Sequence, residues 1–526
     1  VVRLALPVVA ANLLQTLVNV VDVFMAGRLG PLEVAAVGLA NSVRLLILVV
    51  TMAVTAGAMA LAAQARGGRD EEGLADVTRQ TLILSALLAL GLTAVGVLVA
   101  RPVLVFLNGG GDALVVDAGS RYLEILFLGT VLVVGQMALT SLMQGAGDTV
   151  TPLSIAVVTN VANVAFNWLF MFGPGPFPAL GVPGAAVGTL MARGLGLALL
   201  IGVILTGRNV IRWPRGAWRL DTERARDLLM IGLPSGLQSL AYSAAGLLVV
   251  RAVTATPSGS YGAAALAIGL QVEGFAFMPG VALSVAATSL VGQALGAWQL
   301  ERAWRAGHAS LALAVVLMGT VGLALAVFAE PLVHLFDPSA HPIVLADGAA
   351  YLRVNGAVQP ILAVFMVLNG ALRGAGDTRP GLIGTIVGRW GVIVPLAWLL
   401  GVLLGFGTIG IWWAFFAGLT VQAAWVAARW WRGPWWEVAL RTSRVWRAHL
   451  APLGAEERQA FLDGVRAPAM AIEGTREVLE PDGVRYLRDG EVVAHWRPPD
   501  RVRGADGASP TAVTGGARPE PREPAC

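Results

Sequence analysis

The pentapeptide GAGDT stands at residues 145–149 and again at 374–378, an interval of 229 residues. The same interval relates Gln64 to Gln293, Gly67 to Gly296, Pro102 to Pro331, Tyr122 to Tyr351 and Gly181 to Gly410, and Leu follows both tyrosines. Pro7 and Pro234 pair at 227, as a two-residue difference in loop length would produce. Self-similarity over so many positions marks an internal duplication, which has to be recognised before any element is assigned. The chain therefore holds two copies of one unit.

Composition says what kind of unit. Hydrophobic residues make up 56% of the 526 and charged residues only 13%, with a mean hydropathy of +0.71. That is far from the usage of a soluble protein. Twelve apolar runs are long enough to cross a bilayer, which takes about 20 residues. They lie near 2–26, 34–64, 78–100, 119–142, 150–173, 184–206, 227–253, 262–292, 306–329, 347–370, 380–404 and 408–431. Six fall in each copy. The predicted fold is an all-α polytopic membrane protein whose 12 transmembrane helices form two six-helix pseudo-symmetric lobes. Because six is even, both copies enter from the same side, and the pseudo-two-fold axis runs along the membrane normal. The expected divisions are an N-terminal lobe over 1–206, a linker over 207–226, a C-terminal lobe over 227–432 and a charged, Pro- and Gly-rich tail over 433–526. Within the tail, EVLEPDGVRYLRDGEVVAHW alternates around two Asp-Gly turns and predicts a small β-meander, followed by a disordered end.

Arg residues concentrate in the even-numbered loops (Arg66, Arg69, Arg208, Arg212, Arg215, Arg219, Arg224, Arg226, Arg302, Arg305, Arg373, Arg379), while the odd-numbered loops hold chiefly Arg28, Arg101 and Arg251. Basic loops are retained inside, so both termini and both GAGDT turns are expected on the cytoplasmic side of the inner membrane. All 37 basic residues are Arg, which reads as codon usage, and their placement at helix ends and in the tail leaves no nucleic-acid reader. The single cysteine, Cys526, excludes a disulfide framework and a thiol metal cluster. The five His show no metal-ligand spacing and no catalytic triad stands out, so neither an enzyme nor a bound cofactor is expected.

In the repeated turns, Gly145, Gly147, Gly374 and Gly376 would permit positive φ, and Asp148 and Asp377 would cap the exposed N–H groups of the next helix. An anion cradle is the alternative, but no Lys and no preceding strand supply the phosphate-loop context. A hinge in each half is the stronger reading.

Ionisable residues inside a membrane are costly and usually functional or paired. Asp22 lies about four residues from the outer end of helix 1, Asn167 about six from that of helix 5, and Thr189 about five from that of helix 6, so the three can share one depth. Asn163 and Asn167, at i and i+4, share a helix face and offer carbonyl oxygens to Na⁺ or to a protonated carboxyl. The alternative is that the Asn pair joins helices and that Asp22 merely sits near the interface. Arg44 and Glu273 are related by the 229 interval, each roughly mid-helix, and are expected to approach across the axis as an intramembrane pair or gate. Glu124, Arg193, Arg353 and Arg389 read as structural, near helix ends or at snorkelling positions. Trp390, Trp398, Trp412 and Trp413 read as packing or interface belt.

The stretch LQTLVNVVDVFMAGRLG (residues 14–30), the turns QGAGDT and LRGAGDT, GVPGAA from Gly181, FMPGVALSVAATSLVGQALG from Phe277 and the prolines near the starts of helices 1 and 7 resemble the multidrug and toxic compound extrusion (MATE) transporters. The resemblance covers about residues 1–435 and leaves the tail out. It implies two six-helix lobes in a V around a central cavity, and export of small cationic or amphipathic compounds in exchange for H⁺ or Na⁺. It also implies that Asp22 in VDVFMAG and Asn163 and Asn167 in NVANVAFNWLF line a cation pocket in the N-terminal lobe, with Na⁺ possible at Asp22. Some relatives carry an acid at the position of Asn167, and another branch carries acids in helices 7 and 10 where Tyr242 and Leu362 stand, so a C-terminal coupling site of that second type is not expected. A flippase for lipid-linked precursors, which would need a strongly cationic cavity, and a non-transporting receptor or enzyme using the tail are the alternatives. Membrane lipid is the expected surrounding and a monomer the expected state.

Overall fold

A computed structural model describes residues 1–29, 31–108, 113–174, 176–207, 209–433, 435–442, 476–480, 483–488 and 491–496. The chain divides into two units, Val1–Met470 and Ala471–Cys526. In the first unit, the N-terminal half comprises α1 (Val2–Gly27), α2 (Pro31–Gly67), α3 (Glu71–Asn108), α4 (Ala113–Leu128), α5 (Thr130–Gly145), α6 (Val150–Phe172) and α7 (Val182–Leu205). The second half comprises α8 (Thr222–Thr254), α9 (Gly259–Gly296), α10 (Leu300–Val327), α11 (Ala329–Phe336) and α12 (Pro342–Gly374). A composite rod follows, made of α13 (Arg379–Thr385), a π-helical segment Ile386–Ile393, α14 (Val394–Leu396) and a second π-helical segment Ala397–Leu403. Then come α15 (Gly407–Arg432) and the short α16 (Trp436–Thr442).

Among the described residues, ten spans are long and apolar enough to cross a membrane, and the bent pair α4–α5 makes an eleventh. The 37-residue α2 brings the rods to the expected twelve. The run near 119–142 is thus a helix broken by 51° rather than one straight span. A bond from a neighbouring helix marks the place: Thr93 of α3 donates its hydroxyl to the Phe127 carbonyl at 2.6 Å, two residues before Gly129. The π-helical rod has a cause of its own. Pro395 lacks an N–H, and its ring clashes with the carbonyl four residues back, so the winding loosens on either side of it.

The duplication is visible as exchanged contacts. Gln64 Nε2 donates to the Gly374 carbonyl at 3.0 Å, and Gln293 Nε2 donates to the Gly145 carbonyl at 3.1 Å. A Cβ on Gly67 would lie 1.9 Å from the Gln293 carbonyl oxygen, and one on Gly296 would lie 1.9 Å from that of Gln64. The 229 interval swaps the members of each pair. The two halves therefore meet at the GAGDT end with α2 and α9 in backbone contact, which only glycine permits. Gly147 and Gly376 take φ of 92° and 85°, the left-handed geometry their turns require. Gly145 and Gly374, expected to do the same, end helices without positive φ and are glycine for closeness: a Cβ would lie 2.3 Å from the Met59 and 2.4 Å from the Thr288 carbonyl oxygen, respectively.

The aspartates of those turns do not act alike. Asp148 Oδ1 accepts from the Thr151 amide at 3.0 Å, as a cap of α6 should. Asp377 instead accepts from Arg429 Nε at 2.7 Å, so the predicted cap is replaced by an ion pair. The reason is the partner available: Arg429 on α15 corresponds, at 229, to Leu200 on α7.

The linker is shorter than expected, and it is held in place. Asp221 caps α8 by accepting from the amides of Glu223 (2.9 Å) and Arg224 (3.3 Å), which starts that helix inside the predicted linker. Gln80 of α3 donates to the Arg219 carbonyl and accepts from the Asp221 amide, Asn209 donates to Asp148, and Ile211 is buried. At the other end, packing continues past the expected boundary at 433. Trp435 is buried, stacked on Trp430 with ring centroids 4.3 Å apart. The second unit contains β1 (Arg476–Glu480), β2 (Gly483–Arg488) and β3 (Glu491–Trp496), an antiparallel meander in the order β1-β2-β3. The end expected to be disordered lies outside the described residues.

Candidate functional site

In the N-terminal half, close approach of two helices builds the polar site. A Cβ on Gly184 of α7 would fall 2.2 Å from the Phe170 carbonyl oxygen, and one on Gly188 would fall 2.3 Å from Asn167 Oδ1. Small residues thus let α7 lie directly on α6, a packing suited to lipid, where apolar bulk gives helices no preference for each other. Asn163 and Asn167 are pressed into that contact and are buried. Asn167 Nδ2 donates to Asp22 Oδ1 at 2.8 Å, with a longer contact of 3.4 Å to Asn163 Oδ1. Asn163 Nδ2 in turn reaches Thr189 Oγ1 at 3.4 Å. All four residues proposed from the sequence therefore meet in one chain, from α1 through α6 to α7. Asn167 Oδ1 is buried and accepts no hydrogen bond from the protein.

The next layer was missed in the sequence. Arg193, one turn beyond Thr189, does not snorkel. It donates to Gln15 Oε1 of α1 at 3.2 Å and to Gln136 Oε1 of α5 at 3.4 Å, tying three helices beneath the site. A signal existed: Asn12, Gln15, Asn19 and Asp22 follow one another at steps of 3, 4 and 3, a polar stripe along one face of α1.

The second half holds a cavity of about 220 Å³ between α8, α9, α12, the π-helical rod and α15. Glu273 lies in its lining, accepting from the Tyr351 hydroxyl. Arg389 is 6% exposed and places its guanidinium 3.6 Å from the centre of the Tyr242 ring. Arg389 is thus buried inside the lobe, contrary to its reading as a snorkelling residue, because the π-helical winding carries it inward. The side chain of Arg44 lies outside the described residues, and with it the predicted approach of Arg44 to Glu273. Arg353, by contrast, is exposed and pairs with Glu330 at 2.7 Å, as a helix-end residue does. Tyr242 and Leu362, which stand where another branch of the family carries acids, line this same cavity. Among the described residues no group of three or more His, Cys, Asp or Glu is placed to hold a metal ion.

A model of the MatE family matches the chain twice, over residues 7–169 and 234–399, once in each half. The chain belongs to the MATE family. Curated relatives agree with that assignment. A probable multidrug resistance protein NorM of Thermotoga maritima is 28% identical over 411 residues, 78% of this chain and 87% of that one. A probable NorM of Mesorhizobium japonicum is 31% identical over 440 residues, 82% of this chain and 92% of that one. Among solved structures, a MATE crystallised with the ligand MaL6 superposes with a TM-score of 0.76 at 24% identity, covering 82% of this chain and 95% of the other. That likeness establishes the fold: a multi-pass MATE membrane protein of two six-helix lobes.

Proposed function

We propose that this MATE chain is a multidrug efflux transporter working as a secondary active antiporter, exporting small cationic or amphipathic compounds in exchange for H⁺ or Na⁺. The reading places it in the inner membrane as a monomer, with both termini and the GAGDT seam cytoplasmic. The names of its NorM relatives support efflux. The observation that carries the coupling is the 2.8 Å bond from Asn167 Nδ2 to Asp22 Oδ1, which holds a carboxylate beside amide and hydroxyl oxygens of α6 and α7.

Those oxygens suit either ion. Asp22, the unbonded Asn167 Oδ1, Asn163 Oδ1 and Thr189 Oγ1 are hard donors of the type a small cation takes. A protonated Asp22 would instead donate to the free amide oxygen. In both cases the ion changes the charge at Asp22. A ligand shifts a conformational equilibrium only through its different affinity for the two states, and rearranging the α1–α6 contact supplies that difference. Movement of the lobes about the GAGDT seam would then carry cargo across.

The test is flux in proteoliposomes under separate H⁺ and Na⁺ gradients. Wild-type protein should move substrate under one gradient, and Asp22→Asn, which keeps the shape, should lose that response by about 100-fold, the scale of a lost bond to a charge. An unchanged rate in Asp22→Asn would remove Asp22 from the mechanism.

A further inference from the structure

The cavity of the second half contains chemistry that the coupling scheme leaves unused. Arg389 Nε and Trp412 Nε1 are both buried without a hydrogen-bond partner, and both residues line the same space. Two unpaired donors on residues that line one cavity call for an acceptor, since buried donors are rarely left unsatisfied, and a ligand there would reach them by a small turn of either side chain. The guanidinium is held in place by its stacking over Tyr242, so it is aimed rather than loose. Opposite in charge, Glu273 lines the same space with one oxygen engaged by the Tyr351 hydroxyl. The remaining wall is largely apolar: Trp412 meets Tyr351 edge-on at 4.9 Å, Phe415 and Phe277 add two more rings, and aliphatic side chains such as Leu266, Leu270 and Leu362 fill the rest.

We infer that this cavity binds a small aromatic zwitterion, its carboxylate on Arg389 and Trp412 and its ammonium on Glu273. A simple anion would meet the donors but face Glu273. A simple cation would meet Glu273 but face Arg389 and leave both donors unpaired. A molecule bearing both charges satisfies all three groups, and an arginine fork suits a carboxylate in particular. Size restricts it further. At about 220 Å³ the cavity falls below the ~300–1,000 Å³ of drug-sized sites, which leaves room for about one ring and a short charged arm. The π-helical winding around Arg389 is the local distortion that brings the guanidinium to this wall, and such windings cluster at functional sites. The proposal rests on the transporter reading only in making the ligand a cargo; binding itself is independent of it.

The experiment is equilibrium dialysis of the purified full-length chain with radiolabelled phenylalanine, set against competition by phenethylamine and by 3-phenylpropionate. Wild type should bind phenylalanine saturably, and each single-charge analogue about tenfold more weakly or worse. Arg389→Gln should weaken phenylalanine about tenfold and leave phenethylamine unchanged or tighter. Glu273→Gln should weaken phenylalanine and phenethylamine but tighten 3-phenylpropionate. Trp412→Phe, which removes one N–H and keeps the ring, should weaken phenylalanine severalfold, and it serves as the measure if either charge variant fails to fold. Absence of saturable phenylalanine binding at millimolar concentration, or binding that none of the three pocket variants changes, overturns the assignment. Failure of driven export in protein that binds phenylalanine normally would break the coupling scheme and leave the cavity assignment standing.

Discussion

The two halves share a fold and a seam but not a site. At the interval of 227 for the first helix of each lobe and 229 elsewhere, Asp22, Asn163, Asn167 and Thr189 correspond to Val249, Val392, Leu396 and Gly418. Every group of the amide-carboxylate chain is apolar in the second copy. In the other direction, Glu273, Arg389 and Trp412 correspond to Arg44, Asn160 and Pro183, so the carboxylate of the second cavity has an arginine as its counterpart. At the GAGDT end the opposite holds, because Gln64, Gly67, Gln293 and Gly296 are unchanged in kind and exchange contacts across the seam. A backbone contact tolerates only one solution on both sides of an axis. A pocket, which needs only to be lined, leaves each copy free to diverge.

That contrast predicts symmetric effects at the seam and asymmetric effects at the sites. The largest effect is expected from Gly67→Ala and Gly296→Ala. Each new methyl would sit 1.9 Å from a carbonyl oxygen, and a backbone cannot move aside as a side chain can. We expect a loss of about 3 kcal/mol in either variant, at the upper end of overpacking costs, read as equal drops in detergent unfolding midpoint. A large loss in one and none in the other would show that the seam is not built symmetrically.

Next in size is the asymmetry of the sites. Asn167→Ala removes the donor to Asp22 and should lower ion-driven transport about tenfold. Leu396→Ala at the corresponding place should leave transport within about twofold, since loss of apolar bulk there touches no ion ligand. Equal losses would mean that the second half also takes part in coupling.

How far the sequence disclosed this follows the same division. The repeat, the twelve rods and the hinge glycines were legible, because duplication writes each constraint twice and long apolar runs have no soluble explanation. Asp22, Asn163, Asn167 and Thr189 were legible as a group because each is a polar interruption of an apolar helix at a similar depth. Arg389, Trp412 and Glu273 were not, because they stand on three separate rods and each has an ordinary reading by itself. Only the π-helical winding beside Pro395, where the first copy carries Phe166, turns Arg389 inward, and no periodicity announces it. The break at Gly129 was hidden for a similar reason, since the bond that marks it comes from a hydroxyl on α3.

The smallest effect separates the two hinge aspartates. Asp377 is buried, and loss of hydration raises its pKa, while the bond and the charge of Arg429 pull it down without offsetting the rise. Its folded form therefore favours the proton more than the unfolded chain does. The stabilisation from that proton is fully present below the ordinary carboxylate pKa and is lost as pH rises through the raised value. An unfolding midpoint followed upward from about pH 4, near the ordinary pKa, should thus carry a decline that Asp377→Asn removes. Asp148 is held differently: its Oδ1 accepts from the Thr151 amide and its Oδ2 from Asn209. Asp148→Asn keeps one acceptor, enough for the Thr151 amide, and puts an NH₂ donor against that of Asn209, so it should lower the midpoint through a lost hydrogen bond. If the two variants change the pH profile alike, Arg429 and the burial around it make no difference between the hinges, and the divergence of the halves stops short of the cytoplasmic turns.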